Sequence, residues 1–195
     1  QTKGFFVESG GFDGEFLSNT FFMERYLDWN GLLIEADQKM FSKLHSRNRK
    51  AFSLPNCIST QPYPIKVLFK GSNNAVGFIV EILEANNNTS KSSKDNESVY
   101  IVQCFPFYSI LLAVGRNDVD YFGLDVEGSE YKILETIPWH KVNIKTLTVE
   151  WNHIPEGEPA LTRLMESKNY KKFRMISLDY SWEVIYVHES VVFRK

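Results

Sequence analysis

The chain has 195 residues, of which 43% are hydrophobic and 14% aromatic, enough to bury one sizeable core and with nothing to suggest a second domain. Twenty-two basic against twenty-four acidic side chains give a net charge of −2, which argues against nucleic acid or an anionic membrane surface as the main partner. No apolar run reaches the length of about 18 residues that a membrane-spanning helix needs.

The chain opens with an apolar segment, Gly4 to Val7, that ends on Glu8 and runs into Ser9-Gly10-Gly11-Phe12-Asp13-Gly14. The pattern predicts a buried strand followed by a glycine turn, and open α/β sheets bind ligands at the carboxyl ends of their strands. From Glu15 to Leu27, Phe16, Thr20, Met23 and Leu27 fall at helical spacing with Ser18 or Asn19 as local caps, which predicts a crossover helix. A second apolar strand, Gly31 to Ile34, then ends on Glu35, 27 residues after Glu8. In βα-β nucleotide-binding units an acid at that place receives the ribose hydroxyls. The turn is neither a G-x-G-x-x-G nor a G-x-x-x-x-G-K-[ST] motif, so a ligand with ribose and no phosphate fits better than a dinucleotide or a nucleoside triphosphate.

Past this unit the pattern changes. Ile65 to Phe69, Ala75 to Leu83 and Val99 to Cys104 read as strands, and they predict an antiparallel β insertion within about 62–104. Its last connection, Ala85 to Ser98, is nearly devoid of apolar residues and carries three N-x-[ST] sequons, at Asn87, Asn88 and Asn96. These are either glycosylation acceptors on an exposed loop or the accidental product of a polar linker. Cys57 and Cys104 are the only cysteines. Either they form a bridge, which would stabilise the fold by roughly 3–4 kcal/mol on the chain-entropy account, or they are two buried free thiols. Together the two features place the chain in the secretory lumen or outside the cell, with the cytoplasm as the alternative.

A helix is expected over Phe107 to Val114 and a buried strand over Tyr121 to Val126, leading into Asp125-Val126-Glu127-Gly128-Ser129-Glu130. The strand Lys145 to Val149 ends on Glu150, followed by Asn152 and His153. Four carboxylates then share one crevice. Asp125 or Glu127 is a candidate to position an acceptor hydroxyl and take its proton, with His153 as a neighbouring base. The alternatives are a hard-cation site from Asp125, Glu150 and Asn152, or simple capping of the next helix by Glu127 and Glu130, favourable by about 0.3–1 kcal/mol. The site assignment includes no metal. A helix over Glu158 to Lys168 and strands over Lys172 to Ile176 and Glu183 to Val187 complete a sheet with an antiparallel edge. The basic cluster Lys168 to Arg174 reads as a solvated face. No G-x-S-x-G, H-E-x-x-H or C-x-x-C motif is present, which argues against serine hydrolases, zinc proteases and thioredoxin-type redox proteins.

Three of these segments, Val7 to Gly14, Gly31 to Asp37 and Asp120 to Glu130, carry a resemblance. In order along almost the whole chain, through Val142 to His153 and Trp182 to Val187, it resembles the FkbM-type methyltransferase domain, and most closely the animal Star-like branch. The D-V-E-G-S-E segment is its most specific part. The resemblance implies a Rossmann-like class I methyltransferase sheet, mostly parallel, and S-adenosylmethionine as cofactor, which has adenosine and no phosphate. It assigns Glu8 and Gly10 to the methionine end and Glu35 to the ribose, with Asn56 to Ser59 near the adenine. Asp13, Asp37 and Ser59 complete the cofactor-binding set, and Asp125, Glu127 and His153 the catalytic one. Gly11-Phe12 departs from the small-then-polar pair expected in the family's turn, so Phe12 is expected to crowd the methionine end. Two functions are compatible with the resemblance: O-methyl transfer to a hydroxyl or carboxyl acceptor, and a catalytically silent cargo-escort or adaptor domain of the secretory pathway that binds a protein. Gln1 stands just before the first strand with no signal peptide, as expected of an excised domain or a processed product. Star-like relatives carry an upstream membrane anchor.

Overall fold

Residues 3–71, 77–83, 99–178 and 181–191 are described by the structure, a computed structural model. Along the chain the elements are β1 (Phe5–Ser9), α1 (Phe21–Leu27), β2 (Asn30–Ile34), α2 (Gln38–Ser46), β3 (Phe52–Leu54), β4 (Cys57–Ile58), β5 (Ile65–Lys70), β6 (Phe78–Leu83), β7 (Val99–Phe105), α3 (Phe107–Ala113), β8 (Asp118–Leu124), α4 (Glu130–Thr136), β9 (Asn143–Glu150), α5 (Glu158–Glu166), β10 (Tyr170–Leu178) and β11 (Ser181–His188).

Seven strands form the main sheet in the order β10-β11-β9-β8-β1-β2-β3. The pairs from β9 through β8, β1 and β2 to β3 are parallel, and β11 lies antiparallel between β9 and β10. Strands of a parallel sheet bury both faces, and successive side chains alternate between them. Phe5 and Val7 of β1 and Leu32 and Ile34 of β2 accordingly enter a core shared with α3, α4 and α5, through Leu111, Leu134 and Leu161. Phe6 and Leu33 point the other way, to a core closed by Trp29 and by Leu44 of α2.

The insertion is built as expected, with one addition. β5 pairs antiparallel with both β6 and β7, and the short β4 joins β7 in parallel, giving a second sheet in the order β4-β7-β5-β6. Cys57 and Cys104 face each other in that register and are bridged, with Cα atoms 4.4 Å apart. Val67, Phe69 and Val102 pack beside the bridge. The three sequons, at Asn87, Asn88 and Asn96, lie outside the described residues.

One element is shorter than its periodicity predicts. The crossover helix begins at Phe21, whose N–H is taken by the Ser18 hydroxyl at 3.1 Å, and Phe16, read as part of its apolar face, is 63% exposed in the preceding loop. The loop is kept from winding by side chains that take its backbone donors. Asp13 Oδ1 accepts from the N–H groups of Glu15 and Phe16 (3.0 and 2.8 Å), and Glu8 accepts from that of Asn19 (2.8 Å). No described helix is long and apolar enough to cross a membrane.

Candidate functional site

The carboxyl ends of β1, β2, β8 and β9 surround a cavity of about 220 Å³, roofed on one side by the second sheet through Phe69 and Ile79. The turn after β1 makes it. Gly10 has φ +85°, and a Cβ there would stand 1.8 Å from the carbonyl oxygen of Asp125, so only glycine admits this approach of the two strands. The N–H groups of Gly10 and Gly11 are bonded to the carbonyl of Ile34 at 3.0 and 3.1 Å, which ties the turn to the end of β2.

Glu35 follows β2 and is 8% exposed at the cavity wall. Its two oxygens accept from the N–H groups of Phe12 and Asp37, each at 2.7 Å, leaving further lone pairs on both. Burial, opposed by those two hydrogen bonds and assisted by the negative charges of Asp37 and Asp125, pushes its pKa up to about 7. Asp37 also lines the cavity, but its Oδ1 caps α2 by accepting from the N–H groups of Lys39 and Met40 at 2.8 and 2.9 Å.

Three residues expected at the cofactor have other partners. Glu8 is not among the described lining residues; its carboxylate accepts from the hydroxyls of Ser18 (2.8 Å) and Thr20 (2.5 Å) besides the Asn19 N–H. Burial raises its pKa in spite of these bonds and of nearby Arg49. The reason is geometric: in a strand whose last residue is Ser9, Glu8 points to the face opposite Val7, under α1, and not along the strand into the crevice. Asp13 holds its own loop and pairs with Arg47 at 2.7 Å. Ser59 is fully buried and donates to the carbonyl of Tyr63 at 2.8 Å, while Asn56 and Cys57, its neighbours in the expected adenine segment, do line the cavity.

The acids after β8 and β9 converge. Asp125 opens onto the cavity. Its pKa and that of Glu150 are both raised by loss of water, and for Glu150 the negative charge of Asp125 adds to the rise. Glu127 sits in the left-handed region at φ +59° and also lines the cavity. His153, behind it, brings Nδ1 to 2.5 Å from Glu127 Oε2 and 3.5 Å from Glu150 Oε2. Glu130 serves the capping role: it is fully buried and accepts from the N–H groups of Val126 and Gly128, with a pKa pushed by burial to about 7.

Sequence reasoning missed two contributors. Trp182 reaches the cavity because β11 runs antiparallel and so delivers its first residues to the carboxyl edge, something visible only once the topology is known. Arg49 is buried under the loop, its Nε 3.1 Å from Glu24 Oε1 and its guanidinium in contact with the Gly14 carbonyl and, at 3.2 Å, the Thr20 hydroxyl.

A parallel sheet with one inserted antiparallel strand, and a cavity at its carboxyl edge, defines the α/β Rossmann-like methyltransferase fold. Within that class the chain belongs to the Methyltransferase FkbM domain family, whose sequence profile matches residues 8–173 and whose cofactor is S-adenosylmethionine. The match defines the family as a whole and does not single out its animal Star-like branch. Among solved structures, the chain is similar to the methyltransferase FkbM from Methylobacillus flagellatus KT, with TM-score 0.58 and 14% identity over 95% of this chain and 44% of that one. It thus spans less than half the length of that protein. It is also similar to a chain of a fibrillarin/Nop5p complex, with TM-score 0.54 and 11% identity over 96% of this chain and 73% of that one. No curated protein matches the chain at a significant level.

Proposed function

We propose that the domain transfers a methyl group from S-adenosylmethionine to an oxygen acceptor, a hydroxyl or a carboxyl. The observation that supports this most is the charge of the cavity. Its described lining includes Glu35, Asp37, Asp125, Glu127 and Glu150 and no Lys or Arg. Such a wall repels phosphate and attracts a cationic ligand, and a sulfonium carrying adenosine has that character. Glu35 receives the ribose hydroxyls, the glycine turn at Gly10 and Gly11 lets the chain approach the amino-acid end, and Asn56 to Ile58 lie along the base. When bound, the cofactor supplies a methyl group on a sulfonium that departs as a neutral thioether.

The acids on the far wall work on the acceptor. Asp125 orients the acceptor oxygen and takes its proton as the new C–O bond forms. Glu127, held by His153, keeps negative charge beside it. His153 does not line the cavity and acts through Glu127 as a positioning residue. The bridged pair Cys57 and Cys104 supports folding in an oxidising compartment, the secretory lumen or the exterior.

The test is incubation with methyl-labelled S-adenosylmethionine and a panel of hydroxyl and carboxyl compounds. Label that is base-labile identifies an ester, and base-stable label an ether; Asp125→Asn is expected to lower transfer at least about 100-fold. Cofactor binding without label on any acceptor, or undiminished transfer by Asp125→Asn, overturns the assignment.

A further inference from the structure

The region between Glu127, Glu150 and His153 holds more acceptor capacity than the protein uses. Glu150 is 9% exposed, and its Oε2 is buried with no hydrogen-bond donor, as is Asn152 Oδ1, while Glu127 Oε2 meets only the His153 ring nitrogen, at 2.5 Å. A buried oxygen without a donor costs roughly 1–3 kcal/mol, more when charged, and two beside the Glu127–His153 pair call for a further partner. One carboxylate oxygen from Glu127, one from Glu150 and a His153 ring nitrogen all lie within 4.8 Å of one another. Ligand atoms around a cation at about 2.0–2.2 Å stand roughly 3–4 Å apart, within reach of these side chains after a small adjustment.

We infer that Glu127, Glu150 and His153 bind a divalent transition-metal ion, of the Mn2+ or Zn2+ kind, at the edge of the acceptor side of the cavity. The donor set decides the class. Two carboxylates and one imidazole suit Mn2+, Fe2+ or Zn2+ better than Ca2+ or Mg2+, which prefer all-oxygen shells. The second triad in the neighbourhood, Asp125, Glu130 and Glu150, is a poorer candidate because both Glu130 oxygens are engaged by the N–H groups of Val126 and Gly128. Three protein ligands leave open positions, and Glu127 and Glu150 both line the cavity, so the ion faces the space assigned to the acceptor. With the ion in place Glu127 and His153 are ligands, and Asp125 remains to accept the acceptor's proton. The inference concerns the cofactor-free chain and stands or falls apart from methyl transfer.

The experiment is titration of the cofactor-free protein with Mn2+, followed by proton NMR of the histidine rings and by calorimetry. One ion per chain is expected at micromolar affinity, with sub-stoichiometric Mn2+ broadening His153 while His45, His140 and His188 stay sharp, and with Zn2+ reversing the broadening. Glu127→Gln, and separately His153→Ala at a half-exposed site that tolerates truncation, are each expected to weaken binding at least 10-fold. Equal broadening of all four histidines, weak non-saturating binding in the millimolar range, or unchanged affinity in both folded variants would overturn the inference.

Discussion

At the scale of single residues, Glu35 carries the clearest electrostatic signature. An isolated carboxyl ionises near pH 4.3, and burial holds this one to about 7 in the folded chain. Between those values the native state keeps a proton that the unfolded state has released, so this group favours folding at low pH and its contribution falls as pH rises to about 7. The melting temperature is expected to drop between pH 5 and 7.5, with Glu35 accounting for roughly 3 kcal/mol at most of the lost stability. Glu35→Gln flattens that part of the slope, although it gives up one backbone contact; an unchanged slope would assign the titration elsewhere, Glu130 first. Affinity for S-adenosylmethionine is expected to move the opposite way, rising through pH 7 as Glu35 becomes a full acceptor for the ribose. The place of Glu35 and Asp125 at the cavity wall was legible in the sequence because an acid that ends a buried apolar strand has few other places to go. Glu8 shows where this rule misleads: it lies inside β1 level with Leu33, two residues short of the place Glu35 holds, and its carboxylate stays with Ser18 and Thr20 under α1.

Among the elements, the loop from Phe12 to Thr20 was the hardest to read. Its apolar residues fall at helical spacing, yet Asp13 from within it and Glu8 and Arg49 from other parts of the chain satisfy its backbone and hydroxyls. Glu8 and Arg49 stand 11 to 35 residues away from the groups they hold, so no local pattern announces them. α2, by contrast, had a signal that went unused: Asp37 as N-cap followed by Met40 and Leu44 on one face. Arg49→Met is expected to destabilise the chain by about 3 kcal/mol, since it leaves Glu24 in a nearly dry site without its cation. Chemical denaturation measures this, and a loss below about 1 kcal/mol would show the arginine to be incidental. The same variant is expected to weaken cofactor binding, because Phe12, Phe16 and Leu17 of this loop form one rim of the cavity.

For the whole molecule, the parallel direction of most strands follows from the alternation of helical and strand segments, which is why a mostly parallel sheet with an antiparallel strand towards its C-terminal end was readable in advance. The sequence did not reveal that the antiparallel strand sits inside the sheet, between β9 and β10, nor that β4 extends the insertion. Both depend on pairings between segments far apart in the chain. The bridge between Cys57 and Cys104 ties the end of the nucleotide-binding half to the last strand of the insertion, enclosing a separation of 47 residues. Replacing both cysteines by serine is expected to lower stability by roughly 3–4 kcal/mol, read from urea unfolding with and without reductant. Equal stability in all four conditions would show the bridge to be dispensable.

On the proposed function, the acidic cavity at the carboxyl edge of the sheet holds S-adenosylmethionine through Glu35. Calorimetric titration of the purified domain with S-adenosylmethionine and S-adenosylhomocysteine, beside Glu35→Ala, tests it directly. One site at micromolar affinity, lost in the folded variant, is the predicted result. No heat from the folded wild-type protein, or equal binding by Glu35→Ala, would contradict it.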